Sequence, residues 1–143
     1  MIRIRGFFQN DAGYINGHLV SKEQNIDETV EFLVDTGASR TTLLDKDAIF
    51  LGINYNKLRK SEQDMSGIGG SVDTYVIDDS VLLLGDKSIV MPVFVLRHPL
   101  EIMDKEEKIK ILRFPSLLGR DVLHKFKLIF DKEGDELSLV TRE

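Results

Sequence analysis

The chain has 143 residues, 42% of them hydrophobic and 30% charged, the size and composition of one globular domain that can bury a core without staples. It has no cysteine, which excludes disulfides, thiolate catalysis and Cys-ligated zinc, and its net charge of -5 argues against a nucleic-acid partner, which wants a basic face. No apolar run approaches membrane-spanning length and Met1–Gly6 lacks the apolar core of a signal peptide, so no membrane association and a reducing cytoplasmic location are expected.

In chain order, Ile2, Ile4 and Phe7-Phe8 alternate with Arg3 and Arg5 and predict a first strand. Asn10-Asp11-Ala12-Gly13 is a turn cluster, and Tyr14–Val20 returns as a second strand. Ser21–Asp27 reads as a polar loop. Thr29–Val34 is apolar and β-branched, a strand with Val30, Phe32 and Val34 on one face and Leu33 and Asp35 on the other. Thr41–Leu44 predicts a short strand, and Asp45–Leu51 a short helix with Asp45 as N-cap and Gly52 just past its end. Tyr55–Asp64 is charged and expected to be exposed.

Gly67, Gly69 and Gly70 surround Ile68, and Val72–Ile77 follows in alternation, which reads as a hairpin tip flanked by strands, either a lid or a plain Gly-rich turn. No Gly-Lys-Ser/Thr follows, so this is not a phosphate loop. Ser80–Leu84, a turn at Gly85–Ser88 and Ile89–Leu96 form a hairpin, with Pro92 marking an edge or a bulge. Leu100–Arg113 reads as a surface helix or a mobile insertion. Pro115–Leu118 is a buried strand that runs into Gly119 and a short helix reaching Phe126. Lys127–Asp131 and Glu136–Val140 close the chain as a hairpin. Many short strands and little helix give an all-β, closed or barrel-like class over a single domain, 1–143. One internal echo stands out: Phe32–Gly37 and Ser116–Asp121 both carry an apolar strand into a Gly turn.

A carboxylate at the end of a buried strand is costly unless it is paired or has a task, which singles out Asp35. Asp-Thr-Gly is also an ordinary turn sequence. Taken together and in order, Asp35-Thr36-Gly37-Ala38, the glycine-rich tip Gly67–Gly70 and Leu117-Leu118-Gly119-Arg120 resemble the retropepsin-like aspartic proteases, over roughly Gly17 to Val140. The likeness is to the small single-domain cellular and prokaryotic members and to the retropepsin-like domain of ubiquitin-receptor shuttle proteins.

The resemblance implies a closed acid-protease barrel with one or two short helices and an active site at the two-fold axis of a homodimer, because only one Asp-Ser/Thr-Gly occurs in the chain. It implies no cofactor and no metal, and a peptide or protein substrate. By the resemblance, one ionised Asp35 is the general base toward a water, and the other, protonated, hydrogen-bonds the peptide carbonyl. Thr36 bridges the two loops, Gly37 offers backbone to substrate, and Ala38 stands where pepsin-like enzymes often carry a hydroxyl, which predicts a less acidic optimum. Gly67, Ile68, Gly69 and Gly70 form a flap over an extended peptide, and Ile68, Val93 and Leu117 contribute apolar pockets.

Two departures stand out. Ser39, followed by Arg40, occupies the place where retroviral members have an acid that pairs with the arginine matching Arg120, so Arg120 needs another acid or its loop is held differently. The chain also continues through an extra hairpin, so its dimer sheet is expected to be built differently. The rival readings are a catalytically silent module of the same fold that binds peptides or dimerises, and a different hydrolase. For the latter, His18, His98 and His124 sit in unrelated contexts, each expected at the surface or half-buried, and no His-Glu-x-x-His or Gly-x-Ser-x-Gly occurs.

Overall fold

A computed structural model describes residues 1–62 and 72–142. The chain forms thirteen described strands: β1 (Arg3–Arg5), β2 (Phe7–Gln9), β3 (Ala12–Ser21), β4 (Ile26–Val34), β5 (Thr42–Leu43), β6 (Arg59–Lys60), β7 (Asp73–Ile77), β8 (Val81–Leu84), β9 (Lys87–Val90), β10 (Val93–Arg97), β11 (Ser116–Leu118), β12 (Phe126–Asp131) and β13 (Glu136–Thr141). Three short helices interrupt them, α1 (Asp45–Leu51), α2 (Lys105–Arg113) and α3 (Arg120–Leu123), one more than the one or two expected.

A large curled sheet runs β6-β7-β10-β5-β11-β4-β3-β8-β9, with β2 on β3, and a second sheet runs β1-β13-β12. The ten-residue β3 serves as the spine. One edge pairs antiparallel with β4 from Tyr14↔Leu33 to Ser21↔Ile26, while the other takes β2 near its start and β8 near its end. Its long alternation of buried and part-buried positions, with Asn16 alone exposed, is what a strand covered on one face and lined on the other requires. The β2–β3 turn is two residues long, with Asn10 and Asp11 both at positive φ (51° and 65°), the conformation in which Asn and Asp are least strained.

The main core gathers Ile15, Leu19, Phe32, Leu43, Leu82, Leu84, Val93, Val95, Leu118 and Leu139, each fully or almost fully removed from water. Val30 and Phe32 of β4 point into it and Val34 packs at its margin, as the alternation predicts, while Leu33 faces a separate small cluster with Leu44, Leu96 and Leu117.

Several boundaries differ from expectation. Gly6 splits the first strand in two: its N–H still bonds the Leu137 carbonyl of β13 at 2.7 Å, and the chain then crosses from the small sheet to the large one as β2. The loop at Ser21–Asp27 shrinks to residues 22–25, since Asn25 adopts positive φ (55°) and lets β4 begin at Ile26. Pro92 divides the expected Ile89–Leu96 strand. β9 pairs with β8, whereas β10 crosses over to β7 and β5. The helix after Gly119 ends at Leu123, and Phe126 opens β12 instead.

Asp45 does not cap α1. Leu44 occupies the N-cap position, and Asp45 is buried, its carboxylate accepting the His98 backbone N–H at 3.0 Å and lying 2.5 Å from His98 Nδ1. His98 is therefore not the surface or half-buried residue expected, since it is only 2% exposed. Gly52 ends α1 at φ 69°, a left-handed stop that glycine takes without strain. The segment Leu100–Arg113 is ordered, a 3₁₀ turn at Leu100–Ile102 and then α2, with Asp104 as a true cap that accepts the Glu107 N–H at 2.8 Å.

Candidate active site

The internal echo in the sequence is a physical pairing. β4 and β11 lie parallel and adjacent, with Ser116 opposite Phe32, Leu117 opposite Leu33 and Leu118 opposite Val34. Both strands stop together, and the two turns that follow face one another. The ladder continues one step further, because the Asp35 N–H donates to the Leu118 carbonyl at 3.1 Å.

Asp35 is half-buried at this junction. Its Oδ1 accepts the Gly37 N–H at 2.9 Å, and its carbonyl accepts the Ala38 N–H at 3.2 Å. The turn thus orients the carboxylate through its own backbone, and among the described residues Oδ2 has no hydrogen-bond partner. Thr36 and Gly37 are exposed beside it. Leu33, Ala38 and Val72 pack onto Leu44, Leu96 and Leu117, giving the carboxylate an apolar flank. Leu117 belongs to that flank, whereas Val93, expected beside it as a pocket residue, is fully buried in the main core.

The opposing turn is stitched to the Asp35 loop by a network that sequence reading missed. Thr41 donates its N–H to Asp121 Oδ1 at 3.0 Å and to Oδ2 at 2.9 Å, and its hydroxyl donates to Oδ1 at 2.7 Å. The same hydroxyl oxygen accepts the Gly119 N–H at 3.1 Å, while the Arg120 N–H donates to the Ala38 carbonyl at 2.8 Å. The Arg120 guanidinium donates to the Thr36 carbonyl at 2.9 Å. The loop is therefore held differently from one braced by an acid after the glycine: a backbone carbonyl takes the arginine, and the acid that matters, Asp121, belongs to the other turn. The only signal in the sequence was Asp121 directly after Gly119-Arg120. We expect Asp121→Ala to lower stability by about 2 kcal/mol, because the buried Thr41 N–H and hydroxyl lose their acceptor, and urea unfolding measures this.

Gly67, Ile68, Gly69 and Gly70 lie outside the described residues. The strands that flank that stretch, β6 and β7, pair antiparallel through Arg59↔Val76 and Lys60↔Tyr75. Their base is braced by Arg59 on Asp78 at 3.0 Å and by Lys60 on Asp73 at 3.4 Å, and the hydrogen bond from Arg59 holds the Asp78 carboxyl below its usual range. Among the described residues, no group of three or more His, Asp or Glu side chains is placed to hold a metal, and no helix is long and apolar enough to cross a membrane.

A model of the family described as "gag-polyprotein putative aspartyl protease" matches residues 24–125. Among solved structures, a retropepsin-like aspartic protease from Rickettsia conorii is 26% identical with a TM-score of 0.58, covering 96% of this chain and 88% of its own. The EIAV protease in complex with the inhibitor HBY-793 is 20% identical with a TM-score of 0.54, covering 87% of this chain and 98% of its own, and bears on the fold alone. No curated protein matches the chain. The family match spans the Asp35 loop, both strands of the echo and the Gly119 turn, and the chain belongs to the retropepsin-like aspartic proteases.

Proposed function

We propose that the protein is an aspartic endopeptidase, a single domain over residues 1–143 that works as a homodimer with one Asp35 from each copy at the two-fold axis. The observation that carries this reading is the mounting of Asp35: a half-buried carboxylate at the end of a core strand, with one oxygen fixed by Gly37 and the other without a hydrogen-bond partner among the described residues, beside an apolar surface. A single carboxylate cannot both accept a proton from water and donate one to a carbonyl, and the chain holds only one Asp-Thr-Gly. A second copy supplies the missing group.

In this reading the two Asp35 side chains share one proton, since two carboxylates at close range cannot both ionise cheaply. The ionised one takes a proton from water as the water oxygen attacks the peptide carbonyl carbon. The protonated one hydrogen-bonds the carbonyl oxygen where charge develops. Collapse of the tetrahedral intermediate then breaks the C–N bond, with a proton delivered to the leaving nitrogen. Thr36 and Gly37 hold the paired loops and offer backbone to the peptide. Leu117, Leu118, Gly119 and Arg120 buttress the loop from the facing turn. Gly67, Ile68, Gly69 and Gly70 would cover an extended substrate. With Ala38 adding no hydroxyl beside the carboxylate, the optimum is expected toward neutral pH. The cysteine-free chain suits a reducing cytoplasm, where we place it.

The test is light scattering of the pure protein at micromolar concentration together with cleavage of a peptide library near neutral pH. The expected result is a dimer that cleaves, with cleavage abolished in Asp35→Asn. A monomer under all conditions, or a dimer that binds peptides without cutting any, assigns the chain to the silent module instead.

A further inference from the structure

We infer that Arg40 makes this site selective for substrates that carry an acidic side chain within about three residues of the scissile bond, on both sides of it; the inference rests on the proteolytic reading above. Arg40 is anchored in the site by its backbone and not by its side chain. A Cβ built on Gly119 would stand 2.5–2.9 Å from the Arg40 backbone atoms, so the two backbones are in direct contact, and Leu118, the neighbour of Gly119, holds the Asp35 N–H. With about 3.8 Å between consecutive Cα atoms, that places Arg40 within about 12 Å of Asp35. An extended peptide advances about 3.3 Å per residue, so a long guanidinium side chain starting there reaches the second or third residue from the bond being cut.

Among the described residues, no hydrogen bond or ion pair holds the side chain itself. Arg40 is exposed, and among the described residues no carboxylate lies within ion-pair distance of it. Its guanidinium lies over the Phe94 ring, 5.8 Å from the centroid, a contact that limits its wandering and takes up none of its hydrogen-bond donors. The nearby acids are already engaged: Asp121 accepts from Thr41 and Asp35 Oδ1 accepts from Gly37. Arg120, the other cation of the two turns, spends one donor on Thr36. In a chain of 24 acidic against 19 basic side chains, Arg40 thus presents a cation that no acid among the described residues neutralises, over Phe94, which lies two residues along β10 from Leu96 of the apolar cluster that takes in Leu33, Ala38 and Leu117. An apolar residue next to the cut and an acid further along is the peptide chemistry that fits. Because the two-fold axis of the homodimer doubles every feature, each flank of the substrate meets its own Arg40.

The experiment profiles cleavage of a peptide library by the native protein, Arg40→Ala and Arg40→Glu, with Asp35→Asn as the blank. Peptide pairs that differ only by Glu against Gln near the cut are then assayed individually at low and high salt. The native protein is expected to favour the Glu member of each pair by about fivefold, the size of an exposed ion pair, and to lose most of that ratio at high salt. Arg40→Ala should bring the ratio to about one, and Arg40→Glu should favour Lys over Gln. If cleavage depends on Asp35 but the Glu/Gln ratio is the same in all three proteins, the role of Arg40 is overturned and the protease reading stands. If no Asp35-dependent cleavage occurs, both fall.

Discussion

Asp35→Asn is expected to lower cleavage by about 10⁴-fold or to background, and to leave the fold and the dimer intact. Asn keeps the size of Asp, and its amide oxygen still accepts the Gly37 N–H that Oδ1 accepts at 2.9 Å, so the turn keeps its closure. What disappears is the proton acceptor. The stronger form of the experiment mixes native and Asp35→Asn chains. If the site takes one Asp35 from each copy, only native–native dimers cut. Equal amounts leave about a quarter of the dimers intact, and activity per native chain falls about twofold; a ninefold excess of the variant lowers it about tenfold. Activity per native chain that stays constant through the titration would mean that each copy works alone, and the shared site would be wrong.

How much of this was legible in the sequence depends on the distance over which each feature acts. The strand into Asp35, the α1 stop at Gly52 and the closing hairpin are local patterns of alternation and turn chemistry, and each appears at its expected place, with β4 starting three residues and β12 one residue early. The echo between Phe32–Gly37 and Ser116–Asp121 was visible as a likeness, and the structure makes it a parallel pair, since two strands with the same outline fit side by side over one core. Features made by residues far apart were hidden. Thr41 and Asp121 are 80 positions apart, and Asp45 and His98 are 53 apart; nothing in the local context of either acid says which donor it will meet. Local context makes Asp45 a helix cap, because Asp caps helices well, but its tertiary partner His98 takes the carboxylate instead. Pro92 was recognised as a break, yet which strand each half would join is decided by topology, with β10 crossing to β5 and β7.

Gly119→Ala is the second large effect, and it tests whether the two turns form one device. The added Cβ would meet the Arg40 carbonyl carbon at 2.5 Å, its oxygen at 2.7 Å and its nitrogen at 2.9 Å. These are backbone atoms with no rotamer to escape into, so one turn must move away from the other. Overpacking of this kind costs about 3 kcal/mol, seen as a lower urea midpoint with an unchanged slope. The displacement also pulls on the bonds that start at this contact, Gly119 N–H to Thr41 Oγ1 and Arg120 N–H to the Ala38 carbonyl, and through Ala38 on the Asp35 turn. A shift of about 1 Å in a reacting group costs about 100-fold in rate, so kcat/KM should fall by about that factor under conditions where the variant is still folded. Gly52→Ala supplies the contrast. Gly52 has nothing within 4 Å of a built Cβ, and only its φ of 69° resists a side chain. That substitution should cost about 1 kcal/mol and leave kcat/KM unchanged. Equal losses of activity in the two variants at matched stability would show that Gly119 matters only for folding; a loss confined to Gly119→Ala would show that its contact with Arg40 sets the position of Asp35.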